Sequence, residues 1–321
     1  MSAIKQIGNI GGSSASLPVS AVVYVASGSS SIIAKTMLRA TSWIAILDSG
    51  NEVLYTSQDG TTWNERTPGR SSPTGAACKA DFSAIVVCGG SAGNAMRRST
   101  DNGATWANVT NPTSTTALTA IRCAGSTFIA VRTGAATEIA RSTDSGATFS
   151  SVTVTSGTYT NIASNGSGTW LIAGNTISAQ RSTDDGATWS SATLGLAPEG
   201  GIGLAFNNGK FWVSDGNGFY AYSTTGASGT WTTVPVGYDP NYGTSTTSEF
   251  TLASNNDIFY NSGNLGLEKI DLTSSLATTS ALISGAPFAT TGGFVYFGGY
   301  LYTAGQAGNG AVQIFRISNL P

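Results

Sequence analysis

The stretch that decides the fold reads Ser182-Thr183-Asp184-Asp185-Gly186-Ala187-Thr188-Trp189. Three similar copies precede it: Ser57-Gln58-Asp59-Gly60-Thr61-Thr62-Trp63, Ser99-Thr100-Asp101-Asn102-Gly103-Ala104-Thr105-Trp106, and Ser142-Thr143-Asp144-Ser145-Gly146-Ala147-Thr148-Phe149. A fifth copy, from Ser223 to Trp231, keeps both ends but lacks the aspartate. The aromatic residues that end the five copies lie 43, 43, 40 and 42 residues apart. A period near this length holds four short strands with their turns, which is one blade of a β-propeller.

The residues of the repeat are those of a tight turn between two strands. Glycine supplies a backbone conformation that other residues rarely adopt, so the chain can reverse direction there. The aspartate and the hydroxyl groups bond to backbone groups that the strand ladder leaves unpaired. We expect the closing Trp or Phe to start the next strand and to pack its ring into the blade. These positions are therefore predicted to be structural: Ser57, Asp59, Gly60, Trp63, Ser99, Asp101, Gly103, Trp106, Ser142, Asp144, Gly146, Phe149, Ser182, Asp184, Gly186 and Trp189.

Strand patterns extend the repeat beyond the five turns. Short alternating segments at 118–123, 128–132, 138–142 and 149–154 form one unit, and the same frame continues with weaker turns to residue 317. The last unit has only three strands, and the segment 20–26 has no hairpin partner, so we expect it to supply the fourth strand. The sequence predicts an all-β, seven-bladed propeller of four-stranded antiparallel blades over 20–321, with six or eight blades as alternatives. Residues 1–19 are predicted to be a flexible N-terminal arm, either a disordered leader or a segment that orders against a partner.

The turns resemble the Asp-box, or BNR, motif Ser-x-Asp-x-Gly-x-Thr-Trp of the sialidase-like propellers. Enzymes of that family use three inward-facing arginines, a tyrosine activated by a glutamate, an aspartic acid and an Arg-Ile-Pro signature. Here no proline follows an Arg-Ile pair, and the nearest sequence, Phe315-Arg316-Ile317-Ser318, lies near the C-terminal end. Arg98, Arg141 and Arg181 recur at equivalent positions, but such positions radiate outward on a propeller, so we expect a structural role.

The composition excludes several functional classes. Only 10% of residues are charged and the net charge is −2, so no basic face for nucleic acid is expected. The chain contains no histidine, which removes Ser-His-Asp and Cys-His catalysis and the usual zinc sites. The three cysteines, Cys78, Cys88 and Cys123, indicate free thiols and folding in a reducing cytosol. Cys78 and Cys88 could face each other across one hairpin, but small core residues are the preferred interpretation.

Candidates for ligands and cofactors are few. No signal peptide or apolar span is recognisable, so no membrane insertion is expected. Asp184-Asp185-Gly186 looks like part of a calcium loop but lacks the spaced ligands and the closing glutamate, so we expect no metal and no cofactor. The loop 237–243 shows two aromatic rings beside an amide and a carboxylate, a composition suited to a glycan or to another subunit. Its candidate contact residues are Tyr238, Asp239, Asn241 and Tyr242.

Three functions from different classes compete. The chain looks like BNR-type propellers of bacteriophage genomes, which implies a non-enzymatic structural protein of the virion, in the tail as nozzle, knob or receptor-contact module. This reading predicts other tail proteins as partners, many copies per particle, synthesis in the host cytoplasm and contact with a host surface glycan. The alternatives are a carbohydrate-binding propeller of a bacterial surface or secreted complex, and a sialidase-like glycosidase. The diverged blades contain Glu199, Glu249 and Glu268, which keep the glycosidase in consideration.

Overall fold

A computed structural model gives the fold and describes the following parts of the chain: 19–25, 34–89, 96–113, 117–134, 136–174, 176–196, 203–214, 220–234, 251–252, 257–261, 267–271, 279–283, 295–306 and 312–318. Every regular element in these parts is a β-strand, and none of these residues is helical. Accordingly, the described chain offers no helix of the length and hydrophobicity needed to cross a membrane. The predicted arm at 1–19 lies outside the described residues except for its last residue, which begins the first strand.

The strands, numbered along the chain, form antiparallel sheets of four. The chain begins with β1 (Val19–Val25). Blade 1 contains β2 (Ala34–Arg39), β3 (Ile44–Asp48), β4 (Val53–Ser57) and β5 (Asn64–Arg66). Blade 2 contains β6 (Pro73–Cys78), β7 (Ile85–Gly89), β8 (Met96–Ser99) and β9 (Ala107–Val109). Blade 3 contains β10 (Leu118–Ala124), β11 (Thr127–Arg132), β12 (Ala136–Ser142) and β13 (Ser150–Gly157).

The remaining strands complete the set. Blade 4 contains β14 (Asn161–Ser164), β15 (Trp170–Ala173), β16 (Ser178–Ser182) and β17 (Ser190–Thr193). Blade 5 contains β18 (Gly203–Asn207), β19 (Lys210–Ser214), β20 (Tyr220–Ser223) and β21 (Thr232–Val234). Blade 6 contains β22 (Thr251–Leu252), β23 (Asp257–Asn261), β24 (Leu267–Asp271) and β25 (Thr279–Ile283). The last strands are β26 (Val295–Phe297), β27 (Tyr300–Gln306) and β28 (Val312–Ser318).

One sheet is assembled from both ends of the described chain. Its order is β1-β28-β27-β26, and β1 runs antiparallel to β28 with Val19 opposite Ser318. The sequence analysis predicted seven blades; the structure has six blades of four consecutive strands, and this composite sheet, here called the closing sheet, joins blade 6 to blade 1. Pairing with β1 covers the outer side of β28, and β1 takes the outermost position of this sheet.

The first strand of each blade, together with β26 of the closing sheet, lies at the centre of the assembly. Contacts run from β2 to β6, β10, β14 and β18 in turn, and from β22 through β26 back to β2. The apolar core is divided among the junctions between sheets, because each buried cluster draws on two neighbours. One cluster, for example, packs Leu38 and Leu54 of blade 1 against Ile85 and Val87 of blade 2. This arrangement of radial antiparallel sheets is a β-propeller.

One expectation about local structure was wrong. The aromatic residue that closes each turn does not start the next strand: β5, β9, β13 and β17 begin one residue later. The predicted packing of the rings is confirmed, because Trp63 belongs to an apolar cluster and Trp106, Phe149 and Trp189 pack against others. The preferred interpretation of the cysteines as free thiols is confirmed: Cys78 pairs with Ile85 and Cys88 with Gly75 in the β6–β7 ladder, so the two do not face each other.

Candidate functional site at the turns and blade junctions

The turn of blade 2 shows how an Asp-box holds its shape. The Ser99 hydroxyl accepts a hydrogen bond from the Gly103 N–H at 2.8 Å and donates to Oδ1 of Asp101 at 2.7 Å. The Asp101 carboxylate also accepts the backbone N–H and the hydroxyl of Thr105, at 2.8 and 2.5 Å. The Trp106 indole folds back and donates to the carbonyl of Gly103 at 2.9 Å. The side chains of Ser99, Asp101, Thr105 and Trp106 thus all form hydrogen bonds within the turn.

The turns of blades 3 and 4 repeat this network. In both, the first serine accepts the glycine N–H at 2.9 Å and donates to the aspartate at 2.7 Å. In blade 4, Trp189 donates to the Gly186 carbonyl at 3.0 Å. In blade 3 the aromatic residue is Phe149, which has no N–H to donate. The predicted structural role of these positions rests on bonds that the side chains make to their own turns.

The turn of blade 1 is one residue shorter but follows the same plan. The Ser57 hydroxyl accepts the Gly60 N–H at 2.8 Å, and Oδ1 of Asp59 accepts the N–H of Thr62 at 2.6 Å. The Trp63 indole donates to the Gly60 carbonyl at 3.3 Å. Removing one residue from the turn therefore leaves the bonding pattern intact.

The turn of blade 5 keeps its geometry without a carboxylate. Thr225 stands two residues after Ser223, where the other turns have aspartate, and its hydroxyl lies 3.0 Å from that of Thr230. The Ser223 hydroxyl still accepts the Gly226 N–H at 2.8 Å. The Trp231 indole nitrogen is buried and has no hydrogen-bond partner among the described residues. The turn of blade 5 therefore keeps the hydrogen bond from the glycine N–H to the serine hydroxyl, and it lacks the bonds to a carboxylate and from the indole that the turns of blades 2 and 4 form.

The carboxylates of the turns are held in the charged form. Hydrogen bonds from the side chain and backbone of Thr105 lower the pKa of Asp101 to about 2, and those from Thr188 do the same for Asp184. For Asp144, partial burial raises the pKa, but hydrogen bonds from its own turn outweigh this and lower it to about 2. The backbone N–H of Thr62 is the main cause that lowers the pKa of Asp59. A group in this state cannot serve as a general acid near neutral pH.

The recurring arginines tie each blade to the turn of the next. Each one donates its Nε–H to a backbone carbonyl in the middle of the neighbouring turn, at 2.8 Å in all three cases. The bonds join Arg98 to Ser145, Arg141 to Asp185, and Arg181 to Thr225. We call these residues the junction arginines. They lie at successive junctions and do not converge on one site. This agrees with the structural role predicted for them from the sequence.

The turn glycines fit against the same surface of the preceding blade. Gly186 has φ +81°, and a methyl group added there would lie 2.5 Å from Cδ1 of Ile129 and 3.5 Å from the Arg141 side chain. Gly146, with φ +77°, stands in the same relation to Val86 at 2.5 Å. Glycine is therefore favoured at both positions for two reasons: the backbone is left-handed, and the neighbouring blade leaves no room for a side chain.

Asp185 adds a second connection at the junction of blades 3 and 4. Its carboxylate accepts the Trp170 indole N–H at 2.9 Å and a short hydrogen bond from the Thr127 hydroxyl of blade 3. Its backbone carbonyl is the acceptor for Arg141. Because the carboxylate and the backbone carbonyl of Asp185 both accept hydrogen bonds at this junction, the segment Asp184-Asp185-Gly186, which resembles part of a calcium loop, has a structural explanation. The described residues contain no cluster of three or more metal-ligating side chains.

The junction of blades 1 and 2 is built differently. Thr56 occupies the position that belongs to a junction arginine in blades 2, 3 and 4, and its hydroxyl oxygen is buried without a hydrogen-bond partner among the described residues. The turn of blade 2 instead approaches Arg66, whose Cγ would lie 3.0 Å from a methyl group added at Gly103. Two further arginines, Arg70 and Arg97, lie at this junction. Sequence reasoning missed this group because only the strand register shows which positions correspond.

Blade 5 carries aromatic residues at the position of the junction arginine and at the position that pairs with it on the adjacent strand. Tyr222 stands directly before Ser223, as Arg98 stands before Ser99, and it pairs across the sheet with Trp212. The two rings lie 5.1 Å apart, and the Lys210 ammonium lies 4.0 Å from the centre of the Tyr222 ring. Trp212 is only 2% exposed, so its ring is part of the packing and offers no open stacking surface.

The remaining sequence candidates have the following positions. Tyr238, Asp239, Asn241 and Tyr242 lie outside the described residues, as do Glu199 and Glu249. Glu52 accepts the backbone N–H of Ser72 at 3.2 Å. Burial raises the pKa of Cys88 to about 12, so this thiol is not a nucleophile at neutral pH. The described residues thus bring no nucleophile, base and orienting group together.

Solved structures with the same fold include proteins of different functions. YCF48 bound to D1 peptide is 15% identical, with a TM-score of 0.67 over 94% of this chain and 97% of that chain. A streptogramin B lyase is 13% identical, with a TM-score of 0.73 over 94% and 98%. A virginiamycin B lyase from Staphylococcus aureus, made catalytically inactive by a histidine-to-alanine change and bound to quinupristin, is 12% identical, with a TM-score of 0.72 over 93% and 99%. Identities this low establish the propeller fold alone.

Comparisons of sequence find less. No protein family matches the chain, and no curated protein matches it. The fold is therefore known from structure, while the function has to be argued from the residues.

Proposed function

We propose that the chain is a non-enzymatic structural protein of a bacteriophage virion, a component of the tail that packs against other tail proteins in several copies per particle. The observation that carries the proposal is the character of the outer strands. Strands β9, β13, β17 and β21 lie last in their sheets and contain no charged residue and no proline. Proteins usually protect such edges with charges, proline or a covering segment.

The outer strand of blade 3 is the clearest case. It reads Ser-Ser-Val-Thr-Val-Thr-Ser-Gly over β13, and five of these eight residues are exposed. One face of this backbone pairs with β12, and the other is an edge of the sheet. An exposed, uncharged edge rich in β-branched residues pairs readily with another chain. We infer that neighbouring proteins of the particle cover it.

The proposal that the protein is not an enzyme rests on how its polar residues are used. The Asp-box carboxylates are saturated by their own turns, and the junction arginines hold backbone carbonyls. The lyase with a similar fold is described as inactive when one histidine is replaced by alanine, and this chain contains no histidine. We therefore expect quinupristin to remain intact when it is incubated with the protein, and fluorogenic sialosides to remain uncleaved.

The YCF48 structure supports a role in protein binding. That propeller is described with a bound peptide. The comparison favours a partner that offers an extended segment, although the low identity carries no information on which face would bind it.

The decisive test is the composition of purified particles. Mass spectrometry of density-purified phage should detect the chain at several copies per particle, and electron cryomicroscopy should show propeller density in the tail. Absence of the chain from infectious particles would contradict the proposal.

A variant tests whether the outer edge is the packing surface. Thr153 is exposed on β13, and Thr153→Lys places a charge on the edge; Thr183→Lys, an exposed position in the turn of blade 4, is the matched control. We expect both proteins to fold, and only Thr153→Lys to be incorporated poorly into particles. Equal incorporation of both variants would rule out this edge as the contact.

A further inference from the structure

Two arginines depart from the repeat at the junction of blades 1 and 2. Arg66 pairs with Leu54, three residues before the turn serine of its blade. The same position in the other blades with described side chains is small and apolar, being Val109, Val152, Ala192 and Val234. Arg97 lies two residues before the turn serine, where the corresponding residues are Tyr55, Ala140, Gln180 and Ala221. The propeller framework therefore needs arginine at neither position.

The two side chains reach the same junction from opposite blades. Arg66 belongs to β5 of blade 1, and its stem contacts the Gly103 turn of blade 2. Arg97 belongs to β8 of blade 2, and its Nη2 donates to the carbonyl of Gly69, three residues beyond the end of β5, at 3.1 Å. Each arginine thus extends from its own blade toward the facing one, and both side chains are half-buried.

Both guanidinium groups keep unused hydrogen-bonding capacity. The Nε atoms of Arg66 and Arg97 are buried and have no hydrogen-bond partner among the described residues. Neither side chain forms an ion pair with a described carboxylate, since the ion pair among the described residues joins Lys79 and Asp81. A buried donor without an acceptor costs about 1–3 kcal/mol. The unused donors are therefore an energetic cost that a bound acceptor would remove.

A third arginine adds positive charge at the same place. Arg70 is 9% exposed, and its Nε donates to the carbonyl of Gly89 at 2.6 Å. Burial lowers the pKa of Arg70, and the nearby charge of Arg97 lowers it further. Arg70 and Arg97 therefore place two positive charges close together at this junction.

A purely structural role accounts less well for these residues. The junction arginines show what such a role looks like, since each donates its Nε–H to a carbonyl of the next turn. Arg66 lies against the corresponding turn of blade 2 but makes no such bond. Its contribution to the junction is limited to the packing of its stem.

We propose that the junction of blades 1 and 2 is an oxyanion-binding site, in which Arg66 and Arg97 hold a phosphate or a carboxylate. The planar guanidinium fork matches both groups, and hydrogen bonds from it to an anion are among the strongest in proteins. The source of the anion is either a free ion or an acidic sugar of a surface glycan. This inference does not depend on the proposed role in the virion.

Replacements taken from the other blades provide the test. Arg66→Val installs the residue of blades 2, 3 and 5, and Arg97→Gln installs that of blade 4, so both suit the fold. Arg39→Gln removes an exposed arginine from β2, away from these side chains, and is the control. Probes are inorganic phosphate, glucose 6-phosphate, glucuronate and glucose, with binding measured by isothermal calorimetry and by the rise in the thermal unfolding midpoint.

The expected result is binding of inorganic phosphate that weakens about tenfold or more in each site variant and is unchanged in Arg39→Gln. Stronger binding of glucose 6-phosphate or glucuronate than of phosphate would identify a sugar-borne anion as the source, while glucose should not bind. Equal phosphate binding by the wild type and both site variants would overturn the proposal. So would the absence of binding by every anion at millimolar concentrations, with the variants folded.

Discussion

The junctions between blades 2, 3, 4 and 5 differ from the junction between blades 1 and 2 in what the arginines do. At the former, an arginine donates to a carbonyl of the next turn, and the turn glycine presses on an apolar residue of the preceding blade. At the latter, threonine replaces the junction arginine, and Arg66 and Arg97 retain buried, unused donors. The comparison shows that the equivalent residues in the other blades indicate what a purely structural role at a given position requires. A side chain that departs from its equivalents without making their bonds marks a place where packing alone does not explain the sequence.

The largest effect is expected from filling the space between a turn and the preceding blade. Gly186→Ala combines a φ of +81° with a contact of 2.5 Å to Ile129, so we expect the free energy of unfolding to fall by about 3 kcal/mol. The matched control is Gly209→Ala, where φ is +71° but no atom lies within 4 Å; it should cost about 1 kcal/mol. Urea denaturation measures both values. Equal losses in the two variants would show that backbone strain alone matters and that the turn does not press on the neighbouring blade.

A smaller loss should follow removal of one junction arginine. Arg141→Met keeps the apolar stem but removes the bond to the Asp185 carbonyl, and we expect a loss of about 1.5–2 kcal/mol. Arg39→Gln, at an exposed position, should change stability by less than about 0.5 kcal/mol. If Arg141→Met were as stable as the control, the bond to the next turn would not hold the junction together.

The turn carboxylates predict a specific loss of stability in acid. Their folded pKa values of about 2 for Asp101, Asp144 and Asp184 lie below the ordinary value of 3.8, so the unfolded chain binds protons first as the pH falls. Stability should therefore be complete above about pH 4 and decline between about pH 4 and 2. Thermal unfolding of the wild type and of a triple Asp→Asn variant over this range is the measurement. The triple variant should show a flatter profile, and identical profiles would assign acid sensitivity to other groups.

The smallest effect is expected where the repeat is restored. Arg66→Val gives blade 1 the residue that blades 2, 3 and 5 carry, and it removes a buried, unused donor while losing the stem contact at Gly103. These opposite contributions should leave stability within about 1 kcal/mol of the wild type. A loss of unfolding free energy as large as that of Gly186→Ala would mean that Arg66 itself stabilises the junction of blades 1 and 2. That outcome, measured by the same denaturation experiment, would remove the basis of the comparison above.

Blade 5 illustrates how far a turn can diverge while the blade persists. The aspartate is replaced by Thr225, yet the serine-to-glycine hydrogen bond and the strand pairing on both sides remain. The serine hydroxyl and the glycine conformation therefore define the reversal of the chain, and the carboxylate reinforces it. This is why the sequence pattern could be followed beyond the complete copies of the motif.

The features that could be predicted from the sequence were the turns, because their hydrogen bonds join residues that are close together in the chain. Each turn forms its bonds within eight residues, so serine, aspartate, glycine and aromatic positions could be assigned to a strand reversal without knowledge of the neighbours. The packing of the closing aromatic ring against an apolar core was predicted correctly, whereas the indole bond back to the turn glycine and the start of the strand one residue later were not. The sequence identified Arg98, Arg141 and Arg181 as a recurring set but could not name their acceptors.

The sequence by itself determined the length of the repeat, the chemistry of the turns and the use of the first strand to close the ring, because these depend on short-range patterns and on a missing strand. The tertiary structure alone decided that junction arginines bond to carbonyls 44 to 47 residues away, and that Arg66 and Arg97 lie at the same junction on opposite blades. The physical reason is that the faces of a blade are buried by its neighbours. Which side chains face each other follows from strand register and the radial packing of sheets, and neither is written in any local segment.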